Sequence, residues 1–67
     1  MHSEISFNIR LLAAIKQKKV SQKRLADETN IPQAYISRFI NGTQIPTKGQ
    51  EALIADALDV DVDELFG

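Results

Sequence analysis

Residues 21–46 read SQKRLADETNIPQAYISRFINGTQIP, and this stretch decides the fold. Two helix-like runs flank Thr29-Asn30-Ile31-Pro32, which leaves only a short, tight turn between them. Asn30 tolerates the left-handed backbone conformation better than other non-glycine residues. Pro32 suits the first position of a helix, where its missing N–H costs nothing. The stretch therefore predicts two short helices joined by a sharp turn.

Capping signals set the limits of these two helices. Ser21 is the predicted N-cap of a helix that ends near Glu28, because its side-chain oxygen can accept a free backbone N–H. The next helix is predicted over residues 32–40, and Asn41-Gly42 supplies a left-handed stop. Four of its side chains are expected to turn partly inward: Tyr35, Ile36, Phe39 and Ile40.

The rest of the chain also predicts helices, and no segment alternates as a strand does. Apolar spacing predicts a first helix over residues 6–18. Thr47 and Gln50 form the T-x-x-Q capping box of a fourth helix, and Asp61 and Glu64 repeat that arrangement before a short final turn. The predicted inner faces are Phe7, Leu11, Ala14, Ile15 and Lys18 in the first helix and Leu53, Ile54, Ala57 and Leu58 in the fourth. The expected fold class is all-α.

Length and composition predict a single domain. The chain has 67 residues, 43% of them hydrophobic, and no cysteine, so one small core must come from helix packing alone. We expect the domain to span residues 1–67, with 1–5 as a flexible tail. No secretory signal and no apolar run of about 20 residues is present, which predicts a cytoplasmic protein.

The charges are divided between the two parts of the chain, although the net charge is only −1. Residues 1–48 contain eight basic and three acidic side chains, a net charge of +5. Residues 49–67 contain six acidic side chains and no basic one, a net charge of −6. Such a molecule has one end that attracts phosphates and another that repels them.

Several residues at fixed offsets now point to one family. Ala26 is small where the second helix must approach the third, Asn30 lies where the turn needs a left-handed residue, and Ile36 and Phe39 are apolar where the third helix faces the core. With SQKRLA before the turn and NGTQIP after it, the chain resembles the phage repressor and Cro-like helix-turn-helix family. The resemblance extends to IADALDVDVDELF, which is similar to that family's fourth and fifth helices.

The resemblance implies a compact five-helix bundle of the lambda-repressor-like type and a sequence-specific DNA-binding regulator, either a repressor or a Cro-like switch protein of a phage or mobile element. We expect a weak homodimer on a palindromic operator, because one small domain makes few base contacts and pairing doubles them. We expect no enzymatic activity, no cofactor and no small-molecule ligand. The third helix would lie in the major groove. The residues that match its base-reading side are Gln33, Ala34, Ser37 and Arg38. The candidates for phosphate contacts are Gln22, Lys23, Arg24, Asn41 and Thr43.

The chain departs from the family pattern at several positions. Thr29 stands where a buried aliphatic residue is usual, which predicts a less tightly packed turn. Lys19 replaces a glycine common before the second helix. Ile15 and Ile40 replace an arginine and a glutamate that often form an ion pair, and we expect the two isoleucines to be in contact within about 4.5 Å.

Other functions have weaker support from the sequence. Asp59-x-Asp61-x-Asp63 imitates the opening of a calcium loop, but Glu64 stands where that loop needs glycine. Residues 41–43 match a glycosylation sequon that is better read as a helix stop. Ser21 has no histidine near it in the sequence that would activate it as a nucleophile.

The alternative that stays open is a protein-interaction module on the same fold, antitoxin-like or an adaptor. An outward Tyr35 or Ile40 on an apolar third helix would favour it. The residues that could form a dimer interface, or could equally be buried in the core, are Ile45, Pro46, Val62, Leu65 and Phe66.

Overall fold

The computed structural model describes residues 7–67, which form five α-helices and no strand. The helices are α1 Ile9–Gln17, α2 Gln22–Thr29, α3 Gln33–Asn41, α4 Lys48–Leu58 and α5 Val62–Phe66. The all-α prediction and the five-helix prediction are confirmed. The predicted tail at residues 1–5 lies outside the described residues.

One hydrophobic core joins all five helices. The helix α2 packs against α3 and α4, and α5 closes the core by packing against α1 and α4. The buried apolar side chains are Leu11, Ile15, Leu25, Ala26, Ile31, Ile36, Phe39, Ile40, Ile54, Ala55, Leu58 and Leu65. Ile15 and Ile40 both belong to this core, and their direct contact stays a prediction.

Asn8 fixes the start of α1 and also links it to two other helices. Its Oδ1 accepts the Leu11 N–H at 3.0 Å, as an N-cap does, and its Nδ2 donates to Leu65 O at 3.0 Å. Its backbone N–H donates to Ile40 O at 2.8 Å. The predicted start of the first helix was wrong: Phe7 precedes the helix and is 63% exposed, and Ser6 lies outside the described residues.

The inner face of α4 differs from the predicted one. Leu53 is 50% exposed, whereas Ala55 is buried beside Ile54 and Leu58. The sequence Ala52-Leu-Ile-Ala55 is apolar on every side of a helix, so its periodicity does not identify the buried stripe. Packing against α2 and α5 selects the stripe that contains Ile54, Ala55 and Leu58.

Four residues in the left-handed conformation end four of the helices. Asn30 (φ 63°) and Gly42 (φ 78°) confirm the predicted stops of α2 and α3. Lys19 (φ 58°) follows α1, and Asp59 (φ 59°) follows α4. Both are L-residues in a region that favours glycine. The glycine that the family places at the position of Lys19 therefore has a structural reason here.

The predicted helix starts are largely confirmed. Ser21 Oγ accepts the Arg24 N–H at 2.9 Å, and Thr47 and Gln50 form the expected reciprocal capping box, with bonds of 2.9 and 3.1 Å. Asp61 N–H donates to Glu64 Oε2 at 3.4 Å at the start of α5. Pro32 is the N-cap of α3, with ψ 140°, and not its first helical residue.

Candidate nucleic-acid interface

The turn between α2 and α3 is tightly packed. Ile31 is buried in it, and so is Thr29 at the end of α2. Thr29 Oγ1 donates to Leu25 O at 2.8 Å and accepts the Ile31 N–H at 3.3 Å. The expectation of a looser turn at Thr29 was wrong, because its hydroxyl bonds backbone groups on both sides of the corner and its methyl group is buried.

The outward face of α3 is accessible and mostly polar. Gln33, Ala34 and Arg38 are exposed, and Ser37 is half-buried. Positions 33 and 37 lie one helical turn apart, as do positions 34 and 38, so the four side chains form two adjacent rows. The helix buries Ile36, Phe39 and Ile40 as predicted, but Tyr35 is 37% exposed and lies at the edge of the outward face.

Tyr35 supports one of these candidate residues, a role that the sequence reading missed. The guanidinium carbon of Arg38 lies 5.8 Å from the centre of the Tyr35 ring, within range of a cation–π interaction. The Tyr35 ring in turn meets Phe39 edge-on, with centroids 6.4 Å apart. This contact could have been predicted from the sequence, because residues three apart in a helix, such as Tyr35 and Arg38, lie on the same face. In the free protein the Arg38 guanidinium group therefore lies over the Tyr35 ring.

The start of α2 carries three of the phosphate-contact candidates. Lys23 and Arg24 are exposed, and Gln22 is half-buried next to the N-cap Ser21. The free N–H groups of a helix N-terminus favour anions. Both bases also have an acidic partner one turn along, which the sequence reading did not consider: Lys23 pairs with Asp27 at 3.2 Å and Arg24 with Glu28 at 3.0 Å.

The other two phosphate-contact candidates lie at the C-terminal end of α3. Asn41 is the last residue of the helix, and Thr43 follows the left-handed Gly42. Both side chains are exposed, and the Thr43 N–H donates to Arg38 O at 3.0 Å. The structure therefore separates the phosphate-contact candidates into two groups, one at the start of α2 and one after α3.

Gln33, at the N-terminal end of α3, lies beside the first group. It lines one shallow crevice together with Lys23, Asp27, Asn30 and Pro32. The crevice lies between the start of α3 and the Lys23–Asp27 pair of α2. The structure thus brings the leading base-reading candidate next to a phosphate-contact candidate.

The acidic part of the chain has separate structural roles. Asp61 is the N-cap of α5, and Asp59 is the left-handed residue after α4. Within residues 7–67 no group of three or more histidine, cysteine or acidic side chains is arranged to hold a metal ion. The guanidinium group of Arg10 donates to the carbonyls of Asp63 and Gly67, which commits this base to the C-terminal end.

Among the helices of residues 7–67, none has the length and apolar character that a membrane span requires.

None of the curated proteins compared with the chain matches it. A family model described as HTH_3, helix-turn-helix, matches residues 11–65. The match covers all of α2 to α4, most of α1 and nearly all of α5. The chain therefore belongs to this Cro/C1-type helix-turn-helix family of DNA-binding transcription regulators, which are typically not enzymes.

Proposed function

We propose that the protein is a repressor or Cro-like switch protein that binds a palindromic operator with α3 in the major groove. The observation that carries the proposal is the outward face of α3, where Gln33, Ala34 and Arg38 are exposed and Ser37 is partly so. Their amide, guanidinium, hydroxyl and methyl groups are of the kinds that contact the hydrogen-bonding groups and thymine methyl groups of base edges in the major groove.

Each side chain of this face has a proposed role. Gln33 is the first residue of α3, and recognition helices use mainly their N-terminal turns for base edges. Its amide can donate and accept at once, which matches N6 and N7 of adenine. Arg38 reads a guanine or grips a phosphate farther along the groove. Ala34 contacts a thymine methyl group, and Ser37 adds one weakly discriminating hydroxyl.

Phosphate contacts at two places would orient α3 in the groove. Gln22, Lys23 and Arg24 would hold one strand through the start of α2, and Asn41 and Thr43 would hold the backbone beyond the end of α3. A nine-residue helix is about 13 Å long, comparable with the width of the major groove. Such contacts set register and orientation and carry no sequence information themselves.

We further propose that the protein binds its operator as a weak dimer, because one small domain makes few base contacts and pairing doubles them. Of the candidates for the dimer interface, Leu65 is buried, and Val62 and Phe66 pack against the core. Ile45 is 86% exposed, and it lines one surface cleft together with Pro46, Phe66 and the exposed Phe7 and Ile9. Asn8, Arg10 and Glu51 also line this cleft, so a second copy of the chain would cover a surface of mixed polarity.

The protein-interaction alternative has less support. It needs an apolar outward face on α3 with Tyr35 or Ile40 turned out. Ile40 is buried, but Tyr35 is 37% exposed, so this condition is met in part; the Arg38 guanidinium carbon lies 5.8 Å from the centre of the Tyr35 ring. The accessible part of the helix therefore suits base edges and phosphates better than an apolar protein partner.

The test is selection of bound sequences from a pool of random duplexes, followed by sedimentation of the complex. We expect enrichment of one sequence with dyad symmetry, with half-sites about one helical turn apart. We also expect two protein chains on each selected duplex. Failure to retain any duplex at low salt would contradict DNA binding, and one chain on a non-repeated site would contradict the dimer.

A further inference from the structure

Two carboxylates lie among the proposed phosphate-contact residues of α2. Asp27 Oδ2 is 3.2 Å from Lys23 Nζ, and Glu28 Oε2 is 3.0 Å from Arg24 Nε. In both pairs the acid lies four residues after the base, on the same side of the helix. The two bases that would meet DNA phosphates therefore already have an anionic partner in the free protein.

The position of these acids is not explained by stability. The four side chains are between 41% and 74% exposed, and ion pairs so exposed to water contribute little to folding. Asp27 is also one of the residues that line the crevice with Lys23 and Gln33. An acid at this place lies close to the surface that DNA would approach.

We propose that Asp27 and Glu28 act as internal competitors of the DNA phosphates, a proposal that rests on the proposed function. In the free protein they hold Lys23 and Arg24. When DNA binds, the bases exchange a carboxylate for a phosphate, since both anions accept the same charge-assisted hydrogen bonds. The acids thereby weaken binding to every duplex and leave a larger share of the affinity to base contacts.

Two effects set the size of this weakening. Breaking an (i, i+4) ion pair on a helix surface lowers affinity about two-fold. A carboxylate left about 7 Å from a phosphate in water repels it, which lowers affinity a further two- to three-fold. Removing the charge of Asp27 should therefore raise affinity about four- to six-fold at low salt, and added salt should reduce the gain.

The experiment measures fluorescence anisotropy of a labelled random-sequence duplex with wild type, Asp27→Asn and Asp63→Asn over a series of salt concentrations. Asp63→Asn is the matched control, because it changes the net charge equally on α5, which packs against α1 and α4. Asp27→Asn should bind four- to six-fold tighter than wild type, and Asp63→Asn less than two-fold tighter. Equal gains in the two variants would show an effect of net charge alone and overturn the proposal.

A double-mutant cycle tests whether Asp27 acts through Lys23. In a Lys23→Ala background only the repulsion remains, so Asp27→Asn should raise affinity two- to three-fold. The same gain with and without Lys23 would contradict the exchange of partners. Glu28→Gln gives the corresponding test for Arg24. Thermal unfolding of each variant checks that the helix is intact.

The outcome also separates this proposal from the proposed function. A wild-type protein that binds no duplex at low salt contradicts both. A wild-type protein that binds duplexes while Asp27→Asn leaves the affinity unchanged contradicts the competitor role alone. Weaker binding of Asp27→Asn to a selected operator, with random duplexes unaffected, would mean that Asp27 accepts a hydrogen bond from a base such as cytosine, and would also overturn it.

Discussion

Lys19 should be replaceable by glycine with a gain in stability. It follows α1 with φ 58°, a conformation that an L-residue adopts at a cost and glycine adopts freely. Backbone hydrogen bonds hold it there: Lys19 N–H donates to Lys16 O at 3.1 Å, and Val20 N–H donates to Ile15 O at 3.2 Å. This is the Schellman arrangement, in which the residue after the helix must be left-handed.

The magnitude follows from two opposing terms. The left-handed conformation costs an L-residue about 1–2 kcal/mol, which Lys19→Gly would recover. Glycine is also freer in the unfolded chain, which removes about 0.4–1 kcal/mol of that gain. We expect a net stabilisation of about 0.5–1 kcal/mol, or a rise in Tm of about 2–8 °C for a domain of this size.

Its neighbour Lys18 provides the matched control. Lys18 caps α1 in the right-handed conformation, with φ −84° and ψ −4°, so glycine there gains nothing and should destabilise by about 0.5–1 kcal/mol. Urea denaturation followed by far-UV circular dichroism measures both variants. We expect the free energy of unfolding to rise in Lys19→Gly and to fall in Lys18→Gly. A loss of stability in Lys19→Gly equal to that in Lys18→Gly would refute the reasoning.

Three further variants test the turn, the phosphate contacts and the dimer. Thr29→Val keeps the shape but leaves the Ile31 N–H without its hydroxyl partner; it should lower the free energy of unfolding by about 1–2 kcal/mol, and an unchanged urea midpoint would contradict this. Lys23→Ala should weaken binding equally to operator and random duplexes and reduce the salt slope by about one; a loss confined to the operator would mean base reading. Ile45→Asp should reduce self-association in sedimentation without lowering Tm, whereas unchanged association would place the dimer surface elsewhere.

The turn and its flanking caps could be predicted from the sequence because short-range chemistry determines them. Ser21 and the Thr47–Gln50 box bond backbone groups within a few residues, and Asn30 itself adopts the left-handed conformation. Gly42 likewise adopts the left-handed conformation, at the end of α3. Such signals depend on residue type and spacing, which the sequence contains in full.

The errors in α1 and α4 arose where contacts between distant segments decide, whereas the error at Thr29 came from its local hydrogen bonds to Leu25 O and the Ile31 N–H. Asn8 could be recognised as a cap only if the start of α1 was known, and its bonds to Ile40 and Leu65 link distant segments. In α4, Leu53 and Ala55 were equally compatible with helical periodicity, and packing against other helices chose between them.

In the candidate site, too, some features could be predicted from residue spacing and others depend on how the helices pack. The family resemblance implied that residues 33, 34, 37 and 38 share the outward side of α3, and helical spacing agrees with it. Gln33, Ala34 and Arg38 are exposed, and Ser37 is half-buried. The pairing of Lys23 with Asp27 and the contact of Arg38 with Tyr35 were within reach of the same spacing rules. The crevice that brings Gln33 beside Lys23 depends on how α2 and α3 pack.

The most direct test of base reading by α3 compares wild type, Gln33→Ala and Ser37→Ala on a selected operator and all its single-base variants at one stated salt concentration. Gln33→Ala should weaken operator binding by about 1–3 kcal/mol and relax the preference at one base pair in each half-site, with binding to random duplexes little changed. Ser37→Ala should have a smaller effect, since one hydroxyl discriminates weakly between bases. If Gln33→Ala leaves the order of affinities for all the variants unchanged, Gln33 does not read a base, and the proposed recognition by the N-terminal turn of α3 is wrong.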